Sequence, residues 1–261
     1  MATIGIFDSG AGGLSVLKEI RKALPSGDFI YYADNANCPY GEKTAEFIRE
    51  RARSITQLLL DRGAQAVVVA CNTATGAAIA DLRATFDIPF IGMEPAVKPA
   101  ALGTRSGVIG VLATAGTLKA SKYLNTKGQY QDDVRIEEHV GEGFVQLVER
   151  GELDGPAVER TVRASLQPLL DAGADTIVLG CTHYPFLRPV IERLAGPSVQ
   201  IIDPAPAVAR QLVKVLTDNN ILSHSGLDIH SHSGLDPESH GTLTLLSSGD
   251  PSILHRLAAC L

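Results

Sequence analysis

"RSITQLLLDRGAQAVVVAC", residues 53–71, is matched by "RASLQPLLDAGADTIVLGC", residues 163–181, at an offset of 110 positions. Nine of the nineteen positions are identical, and both copies end in cysteine. Each copy predicts a helix that ends at a glycine, followed by a buried strand. In the same way, "IGIFDSG" from Ile4 is matched by "IGVLATA" from Ile109. The chain is therefore expected to contain two related α/β units, each with a thiol after an equivalent strand.

Short apolar segments alternate with helical patterns over most of the chain. This alternation favours mainly parallel sheets flanked by helices. The predicted strands are Thr3–Asp8, Phe29–Ala33, Ala66–Cys71, Pro89–Met93, Gly107–Ala113, Val134–His139, Thr176–Cys181 and Val199–Asp203. The predicted helices include Thr44–Arg62, Gly143–Arg150 and Pro156–Ala172. The proline-rich stretch 86–103 predicts a crossing between two lobes.

The composition excludes several classes of protein. The 261 residues are 45% hydrophobic and 20% charged, which allows a sizeable core. A formal charge of −6 argues against binding to nucleic acid or to an anionic membrane. The start, "MATIGIFDSG", lacks the features of a signal peptide, and the longest uncharged stretch, Gly63–Ala80, is too polar for a membrane span.

Four cysteines without C-x-x-C spacing make a disulfide framework or a zinc site an unfavourable interpretation. Reduced thiols in a cytoplasmic protein are the expectation. "GAGG" at 10–13 lacks the later glycine of a dinucleotide fingerprint and the Lys-Ser/Thr of a P-loop, so no cofactor is expected. The cysteine spacing likewise gives no reason to expect a metal. Cys38 and Cys260 have no duplicate partner, and we assign them no chemical role.

The two duplicated cysteines lie where an open α/β sheet binds its ligands, outside the carboxyl ends of strands. A pair of inherited core cysteines is the alternative, because cysteine is often buried. The polar continuations "CNTAT" after Cys71 and "CTHYP" after Cys181 favour a site. Two acid–base groups on opposite faces of one carbon suit stereoinversion, since one thiolate takes a Cα proton and the opposing thiol returns one. A free thiol has a pKa of about 8.5, close enough to neutrality for this role.

Two further polar residues follow predicted strands. His183 is a candidate partner for the Cys181 thiol, with a structural histidine as the alternative. Asp8 could orient a substrate ammonium group or adjust the ionisation of Cys71; a helix N-cap is the compatible alternative. Tyr40 and Gly41 in "CPYG" lie in a tight loop whose composition alone explains a turn.

Four stretches together carry a specific resemblance: "FDSGAGGL" (7–14), "PYGEKT" (39–44), "ACNTAT" (70–75) and "GCTHYP" (180–185). In this order and spacing the chain resembles bacterial glutamate racemase as far as about Asp203, and again at "SSGDPSILHRLAACL". The resemblance implies a cofactor-independent, two-base racemase that interconverts L- and D-glutamate and supplies D-glutamate for peptidoglycan, and hence for the cell wall and cell shape.

The resemblance also implies residue roles. Cys71 and Cys181 would be the catalytic pair, supported by Asp8 and His183. Glu149 would support acid–base chemistry, against the alternative of an exposed helical glutamate. The substrate-contacting residues would be Asp8, Ser9, Tyr40, Gly41, Asn72, Thr73, Thr182 and His183.

The family's architecture implies two pseudo-symmetric lobes with the active site in the cleft between them. Residues 1–97 plus 208–261 would form lobe A, and 98–207 would form lobe B. A homodimer is expected, and a cell-wall precursor is a candidate effector.

One segment departs from the family pattern. "SHSGLDIH" at 223–230 is followed by "SHSGLDPE" at 231–238, a tandem repeat within a His/Ser/Gly-rich region, 221–240. A metal site built from its histidines is the weaker interpretation, because the segment has no cysteine and is rich in glycine and serine. A solvent-exposed loop insertion that leaves catalysis untouched is the prediction.

Three other functions remain open at this level. An aspartate-type racemase would use the same chemistry on a shorter side chain. A thiol-dependent isomerase or decarboxylase would need only one of the two cysteines. A two-lobed acid-binding module would need neither as a base.

Overall fold

The computed structural model describes residues 2–222 and 241–259. Its strands, in chain order, are β1 (Thr3–Asp8), β2 (Asp28–Ala33), β3 (Ala66–Val69), β4 (Phe90–Gly92), β5 (Val108–Ala113), β6 (Arg135–Val140), β7 (Thr176–Gly180), β8 (Gln200–Ile202) and β9 (Leu243–Ser247). Its helices are α1 (Leu14–Ala23), α2 (Ala45–Leu60), α3 (Asn72–Thr85), α4 (Val97–Gly103), α5 (Ala115–Leu118), α6 (Ser121–Gly128), α7 (Phe144–Arg150), α8 (Pro156–Asp171), α9 (Arg188–Ala195), α10 (Ala205–Asp218) and α11 (Ser252–Ala258). Short 3₁₀ turns cover Asn35–Asn37, Tyr40–Glu42 and Tyr184–Leu187.

The strands form two parallel sheets, with orders β4-β3-β1-β2-β9 and β6-β5-β7-β8. Taken in the reverse direction, the second sheet has the order β8-β7-β5-β6, which corresponds strand for strand to β4-β3-β1-β2 of the first sheet. The register repeats as well, because Ile4 pairs with Ala66 and Ile109 pairs with Thr176. The two sheets flanked by helices confirm the predicted fold class of two related α/β lobes.

The repeated helices end in the same way in both halves. Gly63 after α2 and Gly173 after α8 have φ values of +89° and +87°, a backbone conformation that favours glycine. Their N–H groups donate to Leu60 and Leu170 at 2.8 and 2.9 Å. Each glycine therefore stops its helix and turns the chain into the buried strand that precedes a cysteine.

The predicted strands that end at Cys71 and Cys181 are one or two residues too long. β3 ends at Val69 and β7 at Gly180. Cys71 instead occupies the N-cap of α3, where its Sγ accepts a hydrogen bond from Ala74 N at 3.4 Å. This role turns the backbone out of the sheet and leaves the sulfur at the sheet edge.

A shared hydrophobic core joins the two lobes. One buried cluster includes Leu17 of α1, Leu212 of α10, and Phe144 and Tyr184 of the second half. The Phe144 and Tyr184 rings lie edge to face with centroids 4.9 Å apart. The chain leaves the first sheet after β4 and returns through α10, which packs on α1. β9 then adds a fifth strand beside β2.

Some sequence-based expectations fall outside the described residues. These are the tandem repeat at 223–238 with most of the 221–240 insertion, its histidines His224, His230, His232 and His240, and Cys260. Across residues 2–222 and 241–259, no helix combines the length and the apolar character needed to cross a membrane.

Candidate active site

Two thiols from different sheets meet at the boundary between the lobes. Cys71 follows β3 and Cys181 follows β7, and the two residues are 5% and 8% exposed. Burial raises the pKa of Cys71 well above its ordinary value, and negative charge on Asp8 and on Cys181 raises it further. The two thiols therefore lie close enough for charge on one to affect the other.

Cys71 is surrounded by oxygen atoms of the β1 end. Its Sγ lies 4.0 Å from Ser9 Oγ, and the nearby Asp8 carboxylate contributes to the raised pKa of the thiol. Asp8 Oδ2 also accepts hydrogen bonds from Gly13 N at 2.7 Å and from Thr182 Oγ1 at 3.2 Å. Burial raises the pKa of Asp8, against the charge of His183 and the Gly13 N–H, which lower it. Asp8 thus connects the first thiol to the "CTHYP" loop of the other lobe.

Cys181 is paired with an imidazole and a carboxylate. Its Sγ lies 3.8 Å from His183 Nδ1, and His183 Nε2 lies 2.6 Å from Glu149 Oε1. Burial lowers the pKa of His183, but Cys181, Cys38 and Glu149 outweigh it and raise that pKa well above its ordinary value. His183 thus has a carboxylate at Nε2 and a thiol at Nδ1, and this arrangement favours its protonated form.

Glu149 is held by backbone and side-chain donors from the first lobe. Ala11 N donates to Oε1 at 2.7 Å, and Asn35 Nδ2 donates to Oε2 at 3.0 Å. Burial alone would raise the pKa of Glu149, but His183 and these donors lower it. The alternative of an exposed helical glutamate is wrong, because the side chain is only 18% exposed and binds a buried histidine.

The glycines of "GAGG" permit the close approach of the lobes. A Cβ at Gly10 would overlap the Glu149 carboxylate, and one at Gly12 would overlap the His183 ring. The loop at residues 10–13 therefore lies directly against Glu149 and His183 of the second half.

Three buried polar atoms in the site are unsatisfied. Asp8 Oδ1 and both polar atoms of the Asn72 side chain have no hydrogen-bond partner within the described parts of the chain. Asn72 is 4% exposed and follows Cys71 directly. Because buried polar groups are normally hydrogen-bonded, a polar ligand is the natural partner for these atoms. Next to them, Thr73 Oγ1 lies 2.9 Å from Thr114 Oγ1 of the second half.

Tyr40 has a structural use for its side chain. Its hydroxyl donates to Asp34 Oδ2 at 2.6 Å, and Arg51 binds the same carboxylate at 2.7 and 3.0 Å. Burial and the Asp34 carboxylate raise the pKa of Tyr40 above its ordinary value. The hydroxyl of Tyr40 is thus committed to Asp34, and Gly41 lies against Thr114 of the other lobe.

Three residues without an expected role lie beside the predicted ones. Cys38 has a sulfur within 4.8 Å of the ligand atoms of Glu149 and His183. Asn35 binds Glu149, and Ser247 Oγ of β9 donates to Asn35 Oδ1 at 3.0 Å. One feature of the sequence could have pointed to Cys38 and Asn35. Both follow β2, as Asp8 ends β1, and the carboxyl ends of these neighbouring parallel strands lie at the same edge of the sheet.

Two cavities open at the lobe boundary near this site. One of about 370 Å³ is lined by residues that include Gly41, Thr114, Gly141 and Tyr184. The other, of about 490 Å³, is lined by residues that include Asn35, Cys38, Glu149 and Arg256. Neither Cys71 nor Cys181 lines either cavity, and both residues are buried, so the two thiols are enclosed in this conformation.

The comparisons with known proteins agree with this geometry. The family model described as Asp/Glu/Hydantoin racemase matches residues 4–212. A glutamate racemase from Ectopseudomonas mendocina is 52% identical over 223 residues, 85% of each chain. The structure of glutamate racemase isoform RacE1 from Bacillus anthracis has a TM-score of 0.85 and 31% identity, covering 99% of this chain and 93% of that one. The Escherichia coli glutamate racemase structure, in complex with L-glutamate and the activator UDP-MurNAc-Ala, has a TM-score of 0.77 and 34% identity, covering 94% and 98% of the chains.

Sequence, fold and site therefore agree: this chain belongs to the Asp/Glu/hydantoin racemase family, among the glutamate racemases.

Proposed function

We propose that this chain interconverts L- and D-glutamate without a cofactor, using Cys71 and Cys181 as its two bases, and that it supplies D-glutamate for peptidoglycan. One observation carries the proposal. A duplicated strand-end thiol from each lobe is buried at the same boundary, beside polar atoms of Asp8 and Asn72 that lack partners.

Those unsatisfied atoms suit the charges of an amino acid. Asp8 Oδ1 offers an acceptor to a substrate ammonium group, and Asn72 Nδ2 offers a donor to a carboxylate. Ser9, Thr73, Thr182 and the backbone at Tyr40 and Gly41 surround the same space and supply further donors and acceptors. In a site this dry, such contacts stabilise charge more strongly than they would in water.

The proton transfers balance without a co-reactant. One cysteine, as thiolate, takes the Cα proton, and the electron pair of the broken C–H bond stays on the substrate, delocalised into its carboxylate. The other cysteine, as thiol, gives its proton to the opposite face of the same carbon. The first cysteine ends as thiol and the second as thiolate, which prepares the enzyme for the reverse reaction.

His183 and Glu149 support the second thiol. An imidazolium 3.8 Å from Cys181 Sγ stabilises the negative charge that forms there when the proton leaves. Glu149 keeps that imidazolium charged and oriented through its 2.6 Å contact with Nε2. In the first lobe, the negative charge of the Asp8 carboxylate disfavours a thiolate at Cys71. It therefore favours the thiol form of Cys71, which can donate a proton.

Substrate entry requires the enclosed site to open. The 370 Å³ cavity between Gly41, Thr114 and Tyr184 is the route we propose, because it joins loops from both lobes next to Thr73. Closure around glutamate would then exclude water from the carbanion.

Three further properties belong to this proposal. The division into 1–97 plus 208–261 and 98–207 is supported by the return of α10 and β9 to the first lobe, with the second boundary lying within α10. A homodimer and a cell-wall-precursor effector are proposed by analogy with the family, the latter supported by the activator in the Escherichia coli structure. A cytoplasmic location fits the free thiols of Cys38, Cys71 and Cys181.

Deuterium exchange tests the function directly. The protein is incubated with L-glutamate in deuterated water without pyridoxal phosphate, while the optical rotation and the Cα deuterium are followed. A racemase brings the rotation to zero and labels Cα. An acid-binding module changes neither, and an aspartate-type racemase acts faster on L-aspartate in a parallel reaction. Loss of racemisation in both the Cys71→Ser and the Cys181→Ser protein, with the parent active, separates a two-base reaction from one that needs a single thiol.

A further inference from the structure

We propose that Cys38, Glu149 and His183 form a binding site for a thiophilic divalent cation of the zinc class, and that occupation of this site inhibits racemisation. Metal binding stands on geometry alone. The inhibitory consequence rests on the proposed function.

The donor set is one that zinc prefers. A thiolate, an imidazole and a carboxylate are its ordinary protein ligands, and three of them leave a fourth position for water or an added ligand. The Sγ of Cys38, a carboxylate oxygen of Glu149 and a ring nitrogen of His183 all lie within 4.8 Å of one another. A tetrahedral site with bonds of about 2.0–2.3 Å needs ligand atoms roughly 3.5 Å apart. Glu149 Oε1 and His183 Nε2, which lie 2.6 Å apart, therefore separate on metal binding, and two bonds to the ion replace their hydrogen bond.

The surroundings leave room for an ion and hold its ligands. Gly10 faces the cluster, and a side chain there would fill the space between the Glu149 carboxylate and Cys38 Sγ. Asn35 Nδ2 donates to Glu149 Oε2 at 3.0 Å, which leaves Oε1 as the oxygen that faces His183. Such outer contacts orient metal ligands in proteins.

The cluster has its own access to solvent. The 490 Å³ cavity is lined by Cys38 and Glu149 together with residues of the C-terminal segment such as Asp250 and Ile253. Cys71 and Cys181 do not line this cavity. A cation can therefore reach the cluster without passing the catalytic sulfurs.

Metal binding would withdraw His183 from its place beside Cys181. The ion replaces one proton on the Cys38 thiol and one on His183 Nε2, and both protons leave to solvent. His183 Nε2 and Glu149 Oε1 become ligands of the ion, so their 2.6 Å contact is lost and both side chains shift toward Cys38. This shift lengthens the 3.8 Å contact between His183 Nδ1 and Cys181 Sγ, so the proton transfer on that side slows.

Cobalt(II) is the probe for direct binding. Metal-free full-length protein is titrated with Co²⁺, and we expect one equivalent to give the visible bands of a tetrahedral ion and a near-ultraviolet thiolate-to-cobalt band, both removed by Zn²⁺. Cys38→Ser should abolish the thiolate band, whereas Cys71→Ser and Cys181→Ser should keep it. In a parallel assay, Zn²⁺ should inhibit the parent reversibly, and Cys38→Ser should raise the inhibitory concentration by about tenfold or more.

A far-ultraviolet circular dichroism spectrum and a thermal unfolding midpoint like those of the parent report that Cys38→Ser is folded, and Cys38→Ala provides a second variant. A band that survives in both Cys38 variants and disappears in Cys71→Ser would assign the metal to the catalytic pair and overturn the proposal. Absence of any band at one equivalent would also overturn it. The two proposals can also fail separately. If the cobalt band requires Cys38 but the metal-free parent does not racemise glutamate, the metal site is upheld and the proposed function is rejected.

Discussion

The two halves of the molecule have the same thiol but different partners for it. At the offset of 110 positions, His183 corresponds to Thr73, and at the offset of 105 positions Asp8 corresponds to Ala113. The first half therefore keeps a carboxylate next to Cys71, and the second keeps an imidazole next to Cys181. Strand order, register and helix stops are alike in the two halves, whereas the residues next to the thiols differ. A duplicated backbone thus surrounds its two thiols with chemically different partners.

The strongest test of this comparison removes one thiol at a time. Cys71→Ser and Cys181→Ser should each reduce racemisation by at least about 10³-fold, because a serine hydroxyl is a far weaker base at neutral pH. Each variant should still exchange Cα deuterium with one enantiomer, and the two variants should prefer opposite enantiomers. Mass spectrometry of L- and D-glutamate incubated separately in deuterated water measures this.

Cys260→Ser is the matched control for thiol loss, because this cysteine has no assigned chemical role, and it should racemise glutamate like the parent. Equal exchange with both enantiomers in either catalytic variant would show that the two sulfurs do not serve opposite faces.

The next test concerns the support that only the second thiol receives. Glu149→Gln removes the negative partner of His183 while keeping its size, and kcat should fall by about 10²-fold. The loss should be larger for the enantiomer whose proton Cys181 takes. Glu152→Gln, on an exposed glutamate three residues away, is the control. Equal losses in both directions would mean that Glu149 serves the whole site rather than the Cys181 side.

The imidazolium of the second half should appear in the pH dependence of stability. The pKa of His183 is raised in the folded protein well above its ordinary value of about 6.5. The stabilisation by a charged His183 is therefore fully present below about pH 6.5 and is lost as the pH rises through the pKa of the folded protein. The difference in unfolding free energy between the parent and His183→Gln should therefore be larger at pH 6 than at pH 9, by about 1 kcal/mol or more. Urea unfolding at both pH values measures it. A difference that grows with pH would contradict a charged His183.

The smallest expected effect lies at the end of the hydrogen-bond chain Ser247–Asn35–Glu149. Ser247→Ala should lower kcat by a few-fold, because it loosens Asn35 at a cost of about 1 kcal/mol. Thr244→Ala, on an exposed position of the same strand, is the control. Steady-state kinetics with each enantiomer should show the larger loss of kcat for the enantiomer whose proton Cys181 takes. A change in KM without a change in kcat would assign Ser247 to substrate binding instead.

The repeat predicted those parts of the molecule that depend on local pattern. The helix stops at Gly63 and Gly173 and the strands before the two cysteines are encoded by neighbouring residues, so they could be read directly. The N-cap role of Cys71 could not, because it depends on where β3 leaves its sheet. Cys38, Asn35 and Ser247 acquire their positions only through tertiary contacts, and the last two are 212 positions apart.

The place of β9 in the first sheet has a consequence for biosynthesis. Thr242, at the start of this strand, donates two hydrogen bonds to Asp28, 214 positions earlier. A nascent chain on the ribosome therefore carries β2 as an open sheet edge until almost all of it has been made. Ser247, which fixes the carboxylate behind His183 through Asn35, arrives at the same late moment. Translation that stops short of this strand would release a protein that contains both sulfurs but lacks the finished first sheet, so quality control can distinguish it by its exposed edge.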